Sequence, residues 1–140
     1  MTLKQPLIVP VTENRYELFA NYEYIWVDGQ QPHMIAIAKG FRYDGASVPQ
    51  IAWSLTGIRP DGLLRDGALI HDFMYRYKGD LPHGTHLYQG TDGLWKFHDH
   101  KWTRKDADKM LRRLMLQAGV SSWKARAAYM AVRLFGWRTW

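Results

Sequence analysis

The chain contains no cysteine. That excludes disulfides and every thiolate metal site, and it leaves compartment open. No uninterrupted apolar run approaches the ~20 residues that a helix needs to cross a bilayer. The opening MTLKQPLIVP holds one Lys and a short apolar run cut by prolines, so it does not read as a signal peptide. These absences predict a soluble protein made in the cytoplasm. No nucleic-acid signature, such as an RNP aromatic pair or zinc-finger spacing, is present.

What remains is apolar, aromatic and basic. Nearly half of the 140 residues are hydrophobic, which argues against disorder and predicts one domain over 1–140 with its own core. Nineteen Lys and Arg against 13 Asp and Glu give a net charge of +6. Much of the excess follows residue 100. A basic surface favours acidic partners, including anionic lipid, an envelope polymer or another protein's acidic patch.

The order of elements reads as α+β: an N-terminal antiparallel hairpin or small sheet, then about three helices, with a loop or hairpin inserted at about 79–102. PLIVPV carries two prolines and suits only an edge strand. RYELFANYEYIWV alternates, with Tyr16, Leu18, Ala20, Tyr22, Tyr24 and Trp26 on one face. DGQQP turns the chain and HMIAIAKGF returns it. GFRYDGASVP reads as a turn-rich loop, IAWSLTGI is ambiguous, and RPDG is a turn. LLRDGALIHDFMYRYKG has helical spacing and ends at Gly79. The glycine-rich stretch that follows has TDG at a hairpin tip and four histidines, His83, His86, His98 and His100. Thr103 with Asp106 forms an N-terminal box for a helix carrying Ala107, Met110, Leu111, Leu114 and Met115, which Gly119 stops. Ser121 or Ser122 opens a last helix, with Trp123, Ala127, Met130 and Leu134 expected toward the core.

Chemistry concentrates in ALIHDFMYRY. On a helix, His71 and Tyr75 are four apart and share a face, with Asp72 at its edge. An imidazole titrates near neutrality and suits general-base work, given a carboxylate on its far nitrogen. Asp72 is adjacent and diverges, so Asp108 on the next helix is the expected partner, whereas Asp106 serves the cap. The alternative is a structural role, with His71 on a backbone carbonyl and Asp72 paired to Arg65 or Arg76. In GFRYDGASVP, Gly40 and Gly45 permit unusual backbone angles, Ser47 suits a loop hydrogen bond, and Asp44 could serve the loop or face a metal or substrate. His98-Asp99-His100 and His83-x-x-His86 could bind a transition metal, but the spacing matches no strong pattern.

Taken in order, GFRYDGASVP, ALIHDFMY and RKDADKML resemble an uncharacterised domain family common in phage and prophage genomes. Its pattern is GF-x-[TY]-DGAS-x-P, then HD-x-x-Y, then an ADR- or ADK-type Asp. The resemblance spans about residues 35–135, with Gly79–Trp102 as a variable insert. It implies a phage or prophage origin, with the protein in the cytoplasm of the infected host and then in the virion, and it supplies no activity. The two helices alone also resemble phospholipase A2. That likeness implies His71 as the base activating water, Tyr75 and Asp108 holding the imidazole, and Asp72 ligating calcium. The chain departs from that pattern in having no cysteine and no clear glycine-rich calcium loop, and calcium needs six or more oxygens.

Two functions follow as expectations. One is a small phage-encoded hydrolase acting on a lipid or cell-envelope ester or amide through His71, Asp108 and Tyr75, with Ca²⁺ or Zn²⁺ at Asp72 and Asp44. The other is a virion structural or accessory protein in which the same residues form a buried polar network. There the aromatic, basic end GWRTW would dock on other virion proteins.

Overall fold

A computed structural model describes residues 5–12, 15–45, 48, 50–56 and 64–140. Ser47 and the RPDG turn lie outside them. The chain is α+β, as its element order predicts. Strands β1 (Ile8–Thr12), β2 (Arg15–Leu18) and β5 (Arg42–Tyr43) form one antiparallel sheet in the order β1-β2-β5. Strands β3 (Tyr22–Asp28), β4 (Gln31–Ile37), β6 (His86–Gln89) and β7 (Trp95–Phe97) form a second, in that order. The long aromatic run is therefore two strands in two sheets. Its inward face is nonetheless the alternating set: Tyr16, Leu18, Tyr22, Tyr24 and Trp26 are all buried. Between β3 and β4 the chain turns through Gly29 at φ +64°, a left-handed conformation that glycine adopts without a Cβ clash.

The stretch at 79–102 is more than an insert. Its hairpin, with Thr91-Asp92-Gly93 at the tip, adds β6 and β7 to the edge of β4. The pairing places His86 opposite Ile35, and the core-facing side of β4 carries His33, Ile35 and Ile37.

Four α-helices are described where about three are expected: α1 (Gln50–Thr56), α2 (Arg65–Arg76), α3 (Arg104–Gln117) and α4 (Ser122–Phe135). The extra one is α1, in the ambiguous IAWSLTGI stretch. At the end of α2, Gly79 stands at φ +79°, and a Cβ there would lie 1.8 Å from the Trp102 carbonyl oxygen. Backbone runs against backbone at this point, so glycine is required for both reasons. At the start of α3, the Thr103 hydroxyl accepts from the Asp106 amide and the Asp106 carboxylate accepts from the Thr103 amide, a complete capping box.

Helix α3 joins two clusters. Ala107, Met110 and Leu114 pack with α2 and the sheet aromatics, while Leu111 and Met115 pack with α1 and α4. The expected inward face of α4 is corrected here. Trp123, Met130 and Leu134 are 65%, 49% and 60% exposed, and the buried positions are Ala125, Ala128, Ala131 and Val132. Small side chains let α4 approach α1 and α3 closely, which large ones would prevent.

Candidate functional site

The second half of α2 is buried from Asp66 through Tyr75, so its polar residues must find partners inside the protein. Helix α3 brings one carboxylate to meet them. Asp108 accepts from His71 Nε2 at 2.8 Å and from the Tyr75 hydroxyl at 2.6 Å, both on Oδ1. On Oδ2 it accepts from Arg133 of α4 at 2.8 Å, with Arg104 at 3.5 Å. Arg104 also donates to the carbonyls of Val132 and Arg133, fastening α3 to the end of α4. The His71 and Tyr75 rings lie against each other, 4.1 Å between centroids.

Burial alone would push the Asp108 carboxyl up. The hydrogen bonds from His71, Tyr75 and Arg133 and the charge nearby outweigh it and hold the group below its ordinary range. Asp108 is therefore a carboxylate at neutral pH. As an acceptor it fixes the His71 proton on Nε2 and leaves the lone pair on Nδ1. Tyr75 moves the other way: burial, then Asp108, raise its hydroxyl well above the ordinary value, so it stays a donor.

The structure thus brings His71, Tyr75 and Asp108 together. It places Asp72 differently from a solvated or Arg-paired residue. Asp72 Oδ2 accepts from the backbone amides of Asp44 at 3.2 Å and Gly45 at 2.7 Å. Arg76 and Arg65 instead donate to the carbonyls of Arg42 and Pro6. Gly45 at φ +74° lets the chain turn its amide onto the carboxylate. Asp44 is exposed and borders a small surface hollow with Arg15, Arg42 and Arg76.

Calcium requires six or more oxygens. Asp72 Oδ2 is committed to two loop amides, and among the described residues no three His, Asp or Glu side chains form a group that could hold a metal. The described residues do not make a calcium shell.

Sequence reasoning missed Arg104 and Arg133, which read as surface charge. The signal for Arg104 was its place four residues before Asp108 on one helix face. Arg133 had no local signal. His33 was missed too. It stands beside His86, with Nδ1 and Nε2 3.1 Å apart, and near His98, at 5.7 Å between ring centroids. Strand parity was the available clue, because His33 alternates with Ile35 and Ile37.

Among the described residues, no helix is long and apolar enough to cross a membrane. No solved structure matches the chain. The uncharacterized protein y4jT of Sinorhizobium fredii is 31% identical over 102 residues, which cover 71% of this chain and 23% of that protein. The chain thus spans about a quarter of the length of that curated relative. A family model described as a protein of unknown function (DUF1353) matches residues 16–132, a span that holds both sheets' pairing strands and all four helices almost entire. By that match the chain belongs to the DUF1353 family.

Proposed function

We propose that the chain is a small hydrolase of phage or prophage origin, with His71 as general base on a lipid or cell-envelope ester or amide. The observation that carries this is the Asp108 carboxylate holding His71 Nε2 at 2.8 Å while accepting from Tyr75 on the same oxygen. The arrangement is that of an oriented base: a carboxylate sets the tautomer and stabilises the imidazolium that forms. His71 Nδ1 takes a proton from water as the water oxygen bonds to the carbonyl carbon. The imidazolium returns that proton to the departing alkoxide or amine as the acyl bond breaks. Asp108 stays ionised, and Tyr75, Arg104 and Arg133 keep it in place. No step uses a metal ion.

The test compares wild type with His71→Gln and Asp108→Asn on phospholipid vesicles and on isolated envelope polymer. The measurement is release of fatty acid or soluble fragments. Turnover by wild type, with loss of at least about 10²-fold in His71→Gln and an unchanged circular dichroism spectrum, supports the proposal. Equal turnover in both sinks it.

A second reading is favoured by two observations. His71 and Asp108 are only 1% and 0% exposed, which suits a structural network. Trp123, Met130 and Leu134 on α4, with Trp137 just beyond it, form an exposed apolar stripe, the four being 65%, 49%, 60% and 61% exposed. Such a stripe suits docking on another virion protein. Mass spectrometry of purified particles tests it: stoichiometric presence supports a virion role, and absence removes it.

A further inference from the structure

Three imidazoles from three parts of the second sheet meet beside Trp26 and Trp102. His33 comes from β4, His86 from β6, and His98 from the residue after β7. Their ring centroids are 5.3 Å (His33–His86), 4.5 Å (His86–His98) and 5.7 Å (His33–His98) apart. His33 and His86 are buried at 9% and 5% exposure. Nδ1 of His86 and Nδ1 of His98 are shut off from solvent without a hydrogen-bond partner. Buried polar atoms are normally paired, so two orphaned nitrogens in one cluster need an explanation.

From this arrangement we propose that His33, His86 and His98 form a binding site for one divalent transition-metal ion of the zinc class. The distances have the right scale. An imidazole nitrogen lies about 2.0–2.1 Å from zinc, and the ring centre roughly 1.2 Å further, so tetrahedral ligands hold their centroids about 5.2 Å apart. The three observed separations bracket that value. Two nitrogens on one tetrahedral ion lie about 3.3 Å apart, and His33 Nδ1 is 3.1 Å from His86 Nε2. Without metal those two nitrogens share a proton, and the ion replaces it.

His98 makes the remaining adjustment. Its ring is stacked on His86, with 20° between the planes, and the three sets of donor atoms do not yet converge. Rotation about χ2 turns an imidazole about an axis passing close to its own centre. It swings the nitrogens and barely moves the centroid, and this torsion is broad in histidine. His98 is half-buried, so it has room to turn.

The trio lies between two cavities, one of about 470 Å³ lined by His33, His98 and His100 and one of about 280 Å³ lined by His86, His98 and His100. The fourth coordination position opens to this space, where His100 or water completes the shell. Imidazole nitrogens select zinc, copper or nickel over calcium or magnesium. Asp28 and Asp106 line the larger cavity and favour a cation, and Lys109 and Arg113 on its wall oppose it. The site shares no residue with the His71–Asp108 network.

The test is zinc and cobalt titration of the full chain without an affinity tag, after chelator treatment. The expected result is one ion per chain, tetrahedral visible absorption with cobalt, and a raised melting temperature with zinc. His33→Gln, His86→Gln and His98→Gln each lower affinity more than about tenfold, while His83→Gln does not. If His86→Gln fails to fold, the half-exposed His98→Gln carries the comparison. Failure of wild type to take up one ion overturns the site. So does uptake unchanged in His98→Gln, or lost in His83→Gln.

Discussion

The molecule holds two clusters of polar side chains in apolar surroundings, and they are built on opposite terms. Around Asp108, four donors from three helices converge on one carboxylate, and both oxygens are filled. Around His86, the rings crowd together and still leave His86 Nδ1, His98 Nδ1 and the neighbouring Trp102 Nε1 without partners. A carboxylate can collect several donors at once, and their combined effect keeps it charged despite burial. Neutral imidazoles each offer one donor and one acceptor, and a cluster of them satisfies itself poorly. The first cluster is complete as it stands. The second calls for something further, which is why the metal inference attaches to it.

The sharpest way to break this contrast is to remove the hub of the complete cluster. Asp108→Ala should cost about 3–5 kcal/mol in denaturant unfolding, because it strands His71, Tyr75 and two arginines together. A loss below about 1 kcal/mol would mean that the network contributes little to holding the helices.

The next largest effect concerns Asp66, which belongs to neither cluster. It is fully buried at the start of α2, its Oδ2 has no partner, and burial pushes its carboxyl up to about 7 against the Gly67 amide and Gln5. The folded form therefore holds this proton more tightly than the unfolded chain, whose pKa is about 3.9. On this term stability is full below about pH 4 and falls as pH rises to about 7, by at most about 4 kcal/mol. Asp108 has the opposite sign, since its depressed carboxyl loses stabilisation only as pH falls below about 4. Urea unfolding between pH 4 and 8 should show the decline in wild type and a flatter profile in Asp66→Asn. An equal slope in both would remove Asp66 as its cause.

Tyr75→Phe is a smaller test. It deletes one of Asp108's donors and leaves the rest, so about 1–1.5 kcal/mol is expected in the same measurement. Smallest of all, His98→Gln in metal-free protein should change stability by less than about 0.5 kcal/mol, because His98 is half-buried and leaves an orphaned nitrogen. A larger change would show that the imidazole cluster is already a working structural unit without an ion.

Much of the first cluster was legible in the sequence, and little of the second. HD-x-x-Y on a helix, followed by an Asp on the next, restricts His71, Tyr75 and Asp108 to one face-to-face meeting, because helical spacing is rigid. The role of Asp72 was not legible. Its partners are backbone amides of Asp44 and Gly45, and amides carry no side-chain signature. His33 escaped notice because it reaches His86 only through strand pairing across 53 residues. The face of α4 was misread for a related reason: size was taken as the mark of burial, while close helix packing selected Ala125, Ala128, Ala131 and Val132.

By itself, the sequence determined the α+β order of elements, the alternating aromatic face, the capping box at Thr103 and the helical placement of His71 and Tyr75. These depend on residues within about a turn of helix or a few strand positions, where backbone geometry leaves few choices. Tertiary structure alone decided that one aromatic run serves two sheets, that the hairpin at 86–97 extends the second sheet, that α4 packs by its small residues, and that Arg104 and Arg133 close around Asp108. Each of these depends on which distant surfaces fit together, and close packing is a property of paired surfaces that no single segment carries.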